Sequence, residues 1–140
     1  GIYRDLDTRQ QYQELLDWNY QRGQGYPIRP QVQVRLTAIQ PFYGPGVQQL
    51  LTWIGQTGSL QEACLHMDIS YSKGRKMVKQ LEQQLGFPVV QRWTGGSGGG
   101  GSVLTKKGRN LIDAYEKMVA SVQDFTDQAY QKYMGKGFEE

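Results

Sequence analysis

Apolar positions recur at helical spacing in five segments of the chain and alternate in a sixth. In residues 5–22, Tyr12, Leu15, Leu16 and Trp18 form one stripe; Asp7 or Thr8 is the expected cap, and Gly23, Gly25 and Pro27 end the helix. Residues 32–39 alternate instead. Val32, Val34, Leu36 and Ala38 fall on one side and Gln33, Arg35 and Thr37 on the other, the pattern of a half-buried strand closed by Pro41 and the Gly44-Pro45-Gly46 turn. A helix from about Val47 to Gln56 turns Leu50, Leu51 and Ile54 inward and breaks at Gly58. Ser59 to Glu62 reads S-x-x-E, a capping box in which each end satisfies the other's free backbone N–H; the helix it opens carries Leu60, Ala63, Cys64 and Met67. The turn at Asp68-Ile69 leads to Ser70, a second N-cap, and a third helix runs to Leu85, where Gly86 and Pro88 stop it.

Two short helices, a tight turn and a third helix make a helix-turn-helix pattern. At about 100° per residue, Ser72, Arg75, Lys76 and Lys79 share one face of the third helix, while Met77, Val78, Leu81 and Leu85 share another. Taken alone, that is any amphipathic surface helix. Its place after a capped helix and before a hairpin makes it a candidate for the major groove.

The hairpin is read from W-T-G-G-S-G-G-G-G-S-V-L, Trp93 to Leu104. As an isolated string the tract is a flexible tether. Its flanks argue otherwise: Val89, Val90 and Trp93 suit one short strand and Ser102, Val103 and Leu104 a second, with a tip so poor in side chains that backbone N–H groups can approach phosphates. Thr105 then opens a helix from about Lys106 to Met134. Along it Leu111, Tyr115, Met118, Val122, Phe125 and Ala129 recur at alternating spacings of four and three, a coiled-coil-like seam widened by Ile112, Val119 and Tyr133. One wide stripe can pack on its own domain, but so long a helix overshoots a core of about 100 residues, which favours pairing with a second chain.

Charge sharpens this picture. Residues 1–69 hold five basic and six acidic side chains, and residues 111–140 hold three and six. Residues 70–110 hold Lys73, Arg75, Lys76, Lys79, Arg92, Lys106, Lys107 and Arg109 against Glu82 alone. A field focused in this way favours a polyanion. Composition adds bounds. A chain of 140 residues, 38% of them hydrophobic, suits one compact domain with a modest core. Asp5, Asp7 and Arg9 interrupt any signal peptide, and no run approaches the roughly 20 apolar residues of a membrane span. One cysteine excludes an internal disulfide and fits a reducing, cytoplasmic setting.

Catalysis finds no support in the spacing. Cys64 and His66, the only residues of their types, lie two apart on a helix and point to different faces, so neither a dyad nor a metal site is expected. Acidic residues form no forced pair, and no phosphate-loop lysine motif or dinucleotide fingerprint occurs. No cofactor is expected. A protein-docking module remains an alternative, through the aromatic first helix with Tyr12, Trp18 and Tyr20; capping of the core is the preferred reading of those rings.

Four segments carry a family resemblance: G-S-L-Q-E-A (Gly58–Ala63), I-S-Y-S-K (Ile69–Lys73), L-G-F-P-V-V (Leu85–Val90) and T-G-G-S-G-G-G-G-S-V-L-T-K-K-G (Thr94–Gly108). In them the chain resembles the winged helix-turn-helix DNA-binding domain of the ModE family of molybdate-responsive bacterial regulators, itself related to the LysR-type helix-turn-helix. The likeness covers roughly Val32 to Met134, leaves residues 1–30 without a role, and weighs against the tether reading of the glycine tract. It implies a homodimeric transcription regulator on double-stranded DNA. By position, Ser70, Tyr71, Ser72 and Lys73 would open the recognition helix, and Arg75, Lys76 and Lys79 continue its exposed face. Arg92, Thr94, Gly95, Gly96, Ser97, Gly98 and Gly99 would belong to the wing, and Lys106 and Lys107 would reach phosphates. Ser72 or Arg75 would read base edges while the other cations fix position. Domains of this kind often begin with a strand that pairs with the wing, a role that suits residues 32–39.

Two departures matter. Family members carry C-terminal oxyanion-binding domains; no counterpart follows the long helix here, so no molybdate site is expected in this chain and the effector stays open. Gly74 sits inside the recognition helix at a cost of up to about 1 kcal/mol relative to Ala, either to let DNA approach the backbone or simply tolerated. The expected architecture is mainly α with a small β component. It has an N-terminal helical extension (1–30), a winged helix-turn-helix (31–105) with recognition helix 70–85 and wing 89–104, a long dimerisation helix (106–134) and a tail (135–140). An architectural DNA-binding or protein-interaction module is the alternative function.

Overall fold

A computed structural model describes the backbone of residues 2–23, 27–93, 100–135 and 138, and among these the side chains of all but residues 2–8 and 19. In chain order the elements are α1 (Ile2–Gln21), β1 (Leu36–Thr37), β2 (Pro41–Tyr43), α2 (Pro45–Thr57), α3 (Leu60–Met67), α4 (Tyr71–Leu85), β3 (Val90–Trp93), β4 (Gly101–Leu104) and α5 (Lys106–Tyr133). The residues group into two units, Gly1–Pro30 with Ala129–Glu140, and Gln31–Gln128.

Within the first unit, α1 begins five residues before Asp7, so neither Asp7 nor Thr8 caps it. Of its aromatic residues, Trp18 and Tyr20 are more than half exposed and Tyr12 is half-buried. The guanidinium of Arg22 lies 4.5 Å over the Trp18 ring and that of Arg29 lies 4.1 Å over Tyr12.

The second unit holds the hydrophobic core. Leu50, Leu51 and Ile54 of α2 are fully buried against Leu60, Ala63 and Cys64 of α3, Val78 and Leu81 of α4, and Val89, Val90 and Leu104 around the hairpin. Each boundary has a local cause. α2 starts at Pro45, where proline's missing N–H costs nothing, and ends on Gly58 at φ 70°. Ser59 caps α3 by accepting from the Glu62 N–H at 3.1 Å. The reciprocal half of the capping box is replaced: the Ser59 N–H donates to Thr57 Oγ1 at 3.2 Å. Asp68 ends α3 in the left-handed region, φ 56°, a conformation that aspartate tolerates. Ser70 then accepts from the Lys73 N–H at 3.1 Å and starts α4, which Gly86 terminates at φ 81°.

The anticipated strand at 32–39 is largely not a strand. Its alternation is real, with Val32, Val34 and Leu36 half-buried between exposed Gln31, Gln33 and Arg35. Side chains of α5, rather than a neighbouring strand, take up its backbone groups: the Val32 N–H donates to Gln123 Oε1 at 3.1 Å, and Tyr115 Oη donates to Val34 O at 2.6 Å. Only Leu36–Thr37 pairs, antiparallel to Pro41–Tyr43, so the segment thought to close the strand is its partner. Ala38 is exposed in the bend. Among the described residues the wing is a separate two-stranded sheet, and no ladder joins β1 to it.

The hairpin pairs Val90 with Leu104, Gln91 with Val103, Arg92 with Ser102 and Trp93 with Gly101. Backbone and side-chain hydrogen bonds close the hairpin at its base and tie it to the ends of α2 and α4. The Ser102 N–H donates to Gly58 O at 2.8 Å, and the Thr105 N–H to Val89 O at 2.9 Å. The Glu82 carboxylate accepts from the N–H groups of Val89 and Val90 at 2.8 and 3.2 Å. Thr105 Oγ1 accepts from the Gly108 N–H at 3.0 Å and donates to Pro88 O at 2.9 Å, starting α5.

Along α5, Leu111, Ile112 and Val119 pack against the core, and Tyr115 is buried in it with its ring edge-on to Tyr43 at 4.9 Å. The seam read from the sequence therefore divides. Leu111 and Tyr115 serve their own chain, Ala129 is half-buried, and Met118, Val122 and Phe125 are exposed at 36%, 38% and 72%.

Candidate nucleic-acid interface

α4 separates its faces by packing. Val78 and Leu81 are sealed in the core and Met77 and Leu85 half-buried, while Ser72, Lys73, Arg75, Lys76 and Lys79 are exposed. No acidic residue occupies the first turn of α4, so the positive end of the helix dipole adds to these cations. Ser70 is committed to its cap. Glu82, the lone acid of the basic third, is turned onto the backbone before β3, which keeps its charge off the cationic face.

Gly74 belongs to the buried face. A Cβ there would fall well inside van der Waals contact of Cys64 Sγ, with Ile69 and Leu60 methyls at 3.6 and 3.7 Å. The glycine sits where α4 crosses α3, facing the core rather than DNA, and any larger residue there would have to displace the Cys64 side chain.

The fold brings three of the anticipated residues together. Tyr71 and Arg75 from the start of α4 and Arg92 from β3 line a cleft of about 730 Å³ between the two helix N-termini and the hairpin. Ser59, Gln61 and Trp93 line it as well. In the sequence Ser59 and Trp93 read only as structure formers, and Gln61 carries no signal. No periodicity marks them, since they meet only when the hairpin folds back onto α3. Lys106 and Lys107 are exposed but lie elsewhere, with Lys107 Nζ 4.7 Å over the Phe87 ring beyond the end of α4. Arg109 is tied to Leu104 O at 2.9 Å. Thr94, Gly95, Gly96, Ser97, Gly98 and Gly99 lie outside the described residues. On the other flank of α4, Arg35 adds a cation beside a depression of about 300 Å³ bordered by Gly44, Gly46 and Gln80.

Cys64 is buried, which pushes its thiol pKa up against a smaller lowering by the Gly74 N–H, and so disfavours the thiolate. His66 is exposed and stacks on Trp53, rings 3.8 Å apart and 1° from parallel. Among the described residues, no three His, Cys, Asp or Glu side chains are grouped to hold a metal, and no helix is long and apolar enough to cross a membrane.

These features define a winged helix-turn-helix domain. Residues 48–109 match the model of the lysR-family bacterial regulatory helix-turn-helix protein. The chain is 41% identical over 73 residues to the molybdenum-pterin-binding protein MopB of Rhodobacter capsulatus, a match covering 52% of this chain and 27% of that protein. It is 35% identical over 82 residues to the DNA-binding transcriptional dual regulator ModE of Escherichia coli (strain K12), covering 59% and 31%. To the transcriptional regulator ModE of Haemophilus influenzae it is 31% identical over 75 residues, covering 54% and 29%. The chain thus spans less than a third of the length of these curated relatives.

Proposed function

We propose that this chain is a sequence-specific DNA-binding transcriptional regulator that acts as a homodimer on double-stranded DNA in the bacterial cytoplasm. α4 enters the major groove, and the hairpin lies on the backbone or in the minor groove. The observation that carries this reading is α4 itself: one face is sealed by Val78 and Leu81, and the other presents Lys73, Arg75, Lys76 and Lys79 without an acidic neighbour in its first turn. The lysR-family match supports it, as do relatives named as DNA-binding or transcriptional regulators. The molybdenum-pterin binding in the name of MopB is not part of the proposal.

The test is binding to genomic fragments, including the region upstream of the protein's own gene, across a salt series with random duplex as competitor. Selective, salt-sensitive retention of a few fragments supports the reading. Arg75→Ala with Lys79→Ala should then weaken binding and lower the salt slope while leaving the circular dichroism spectrum unchanged. Weak, uniform binding would leave an architectural role or a missing effector. Absence of binding at low salt would favour a protein-docking module.

A further inference from the structure

We propose that Trp93 is a fixed apolar platform against which the deoxyribose edge of the bound DNA strand packs, beside the phosphates paired by Arg75 and Arg92. The proposal rests on the DNA-binding reading and adds a contact that is not electrostatic.

Two observations carry it. First, the indole is seated. Trp93 lies directly across the ladder from Gly101, and a Cβ on Gly101 would meet ring carbons Cη2 and Cε2 at 2.7 and 2.8 Å. The ring therefore lies over a bare stretch of β4 backbone, in the manner of an aromatic residue covering a glycine on a strand pair. Second, seating covers only one side. Trp93 remains 51% exposed. Its residue lines the cleft with Arg75, Arg92, Tyr71 and Gln61, and no carboxylate lines that cleft among the described residues. A large apolar ring held in a fixed pose beside two guanidinium groups matches a sugar-phosphate strand. The anionic oxygens meet the arginines, and the apolar sugar edge meets the indole. An apolar protein partner would instead have to desolvate both arginines.

Cation–phosphate pairs release counterions, whereas sugar packing does not. The two contributions can be separated by their salt dependence. Covering about half of an indole face corresponds to roughly a tenfold change in affinity. The test measures affinity for a selected duplex across a salt series for the intact chain, Trp93→Ala, Trp93→Phe and Gly101→Ala, with thermal unfolding confirming that each variant is folded. Trp93→Ala should lose about tenfold with an unchanged salt slope, and Trp93→Phe should recover most of that loss. Gly101→Ala must push the ring off its seat, so it should weaken binding in the intact chain and have no further effect in Trp93→Ala. DNA should also shield tryptophan fluorescence from acrylamide in the intact chain, and this protection should fall in Trp93→Phe.

If the intact chain binds and Trp93→Ala stays within twofold of it, the ring serves only the hairpin and the proposal is overturned. A loss accompanied by a changed slope overturns it too, since the effect would then run through the arginines. If the intact chain binds no DNA at low salt, the functional reading fails first and the platform falls with it.

Discussion

Gly74 shows how one hydrogen atom decides a helix crossing. Helix propensity alone predicts that Gly74→Ala gains about 1 kcal/mol. The new methyl would collide with Cys64 Sγ at a buried crossing, and overpacking of that kind costs about 1–3 kcal/mol. The collision should win, giving a net loss visible in urea unfolding. In a Cys64→Ala background the space opens, and the same substitution should become neutral or stabilising. The buried phenols make a second residue-scale prediction. Burial raises the pKa of Tyr43, with its neighbour Tyr115 adding to the shift, and burial also raises that of Tyr115. Tyr43 Oη donates to Gln48 Oε1, and Tyr115 Oη to Val34 O at 2.6 Å. Both groups keep their protons in the folded chain at pH values where the unfolded chain releases them. Their contribution is complete below the ordinary phenol value of about 10 and is lost as pH rises from there toward the folded values. Unfolding measured from pH 8 to 12 should show stability flat at first and then falling, and Tyr115→Phe should flatten the fall.

At the scale of elements, the helix-turn-helix was legible because its signals are local. Ser59, Ser70, Gly58 and Gly86 cap or end helices through neighbours no more than four residues away. The segment at 32–39 was misread for the converse reason. Alternation reports which side is buried, whereas a strand requires a ladder partner, and here Gln123 and Tyr115 supply the partners from far along the chain. Glu82 is another element-scale device invisible in the sequence, where it reads as one more surface charge on a helix. Its carboxylate holds the backbone entering the wing through the Val89 and Val90 N–H groups, and Val89 is fully buried. Glu82→Ala leaves those donors unsatisfied and should cost about 1–3 kcal/mol in chemical denaturation. Glu82→Gln retains an acceptor and should cost less. A loss equal to that of the alanine variant would assign the effect to charge rather than to hydrogen bonding.

Over the whole molecule, positive charge gathers in residues 70–110, and the proposed dimer draws on α5. Leu111 and Tyr115 are spent on the chain's own core, which leaves Met118, Val122 and Phe125 as the exposed part of the seam. Light scattering at micromolar concentration should give the mass of a dimer, and Val122→Asp with Phe125→Asp should shift it to a monomer with the helical spectrum retained. A monomer mass for the intact chain would remove dimerisation from the proposal. The sequence by itself determined the helices, the Ser59 and Ser70 caps, the hairpin and the cationic face of α4, because periodicity, capping chemistry and turn residues act within a few positions of each other. Tertiary structure alone decided that Gly74 is a packing glycine, that Glu82 faces the wing, and that Gln61 and Trp93 share a cleft with Arg75 and Arg92. Those facts depend on which segments meet when residues seven or more positions apart, on different elements, close around one core, and such meetings leave no period in the chain.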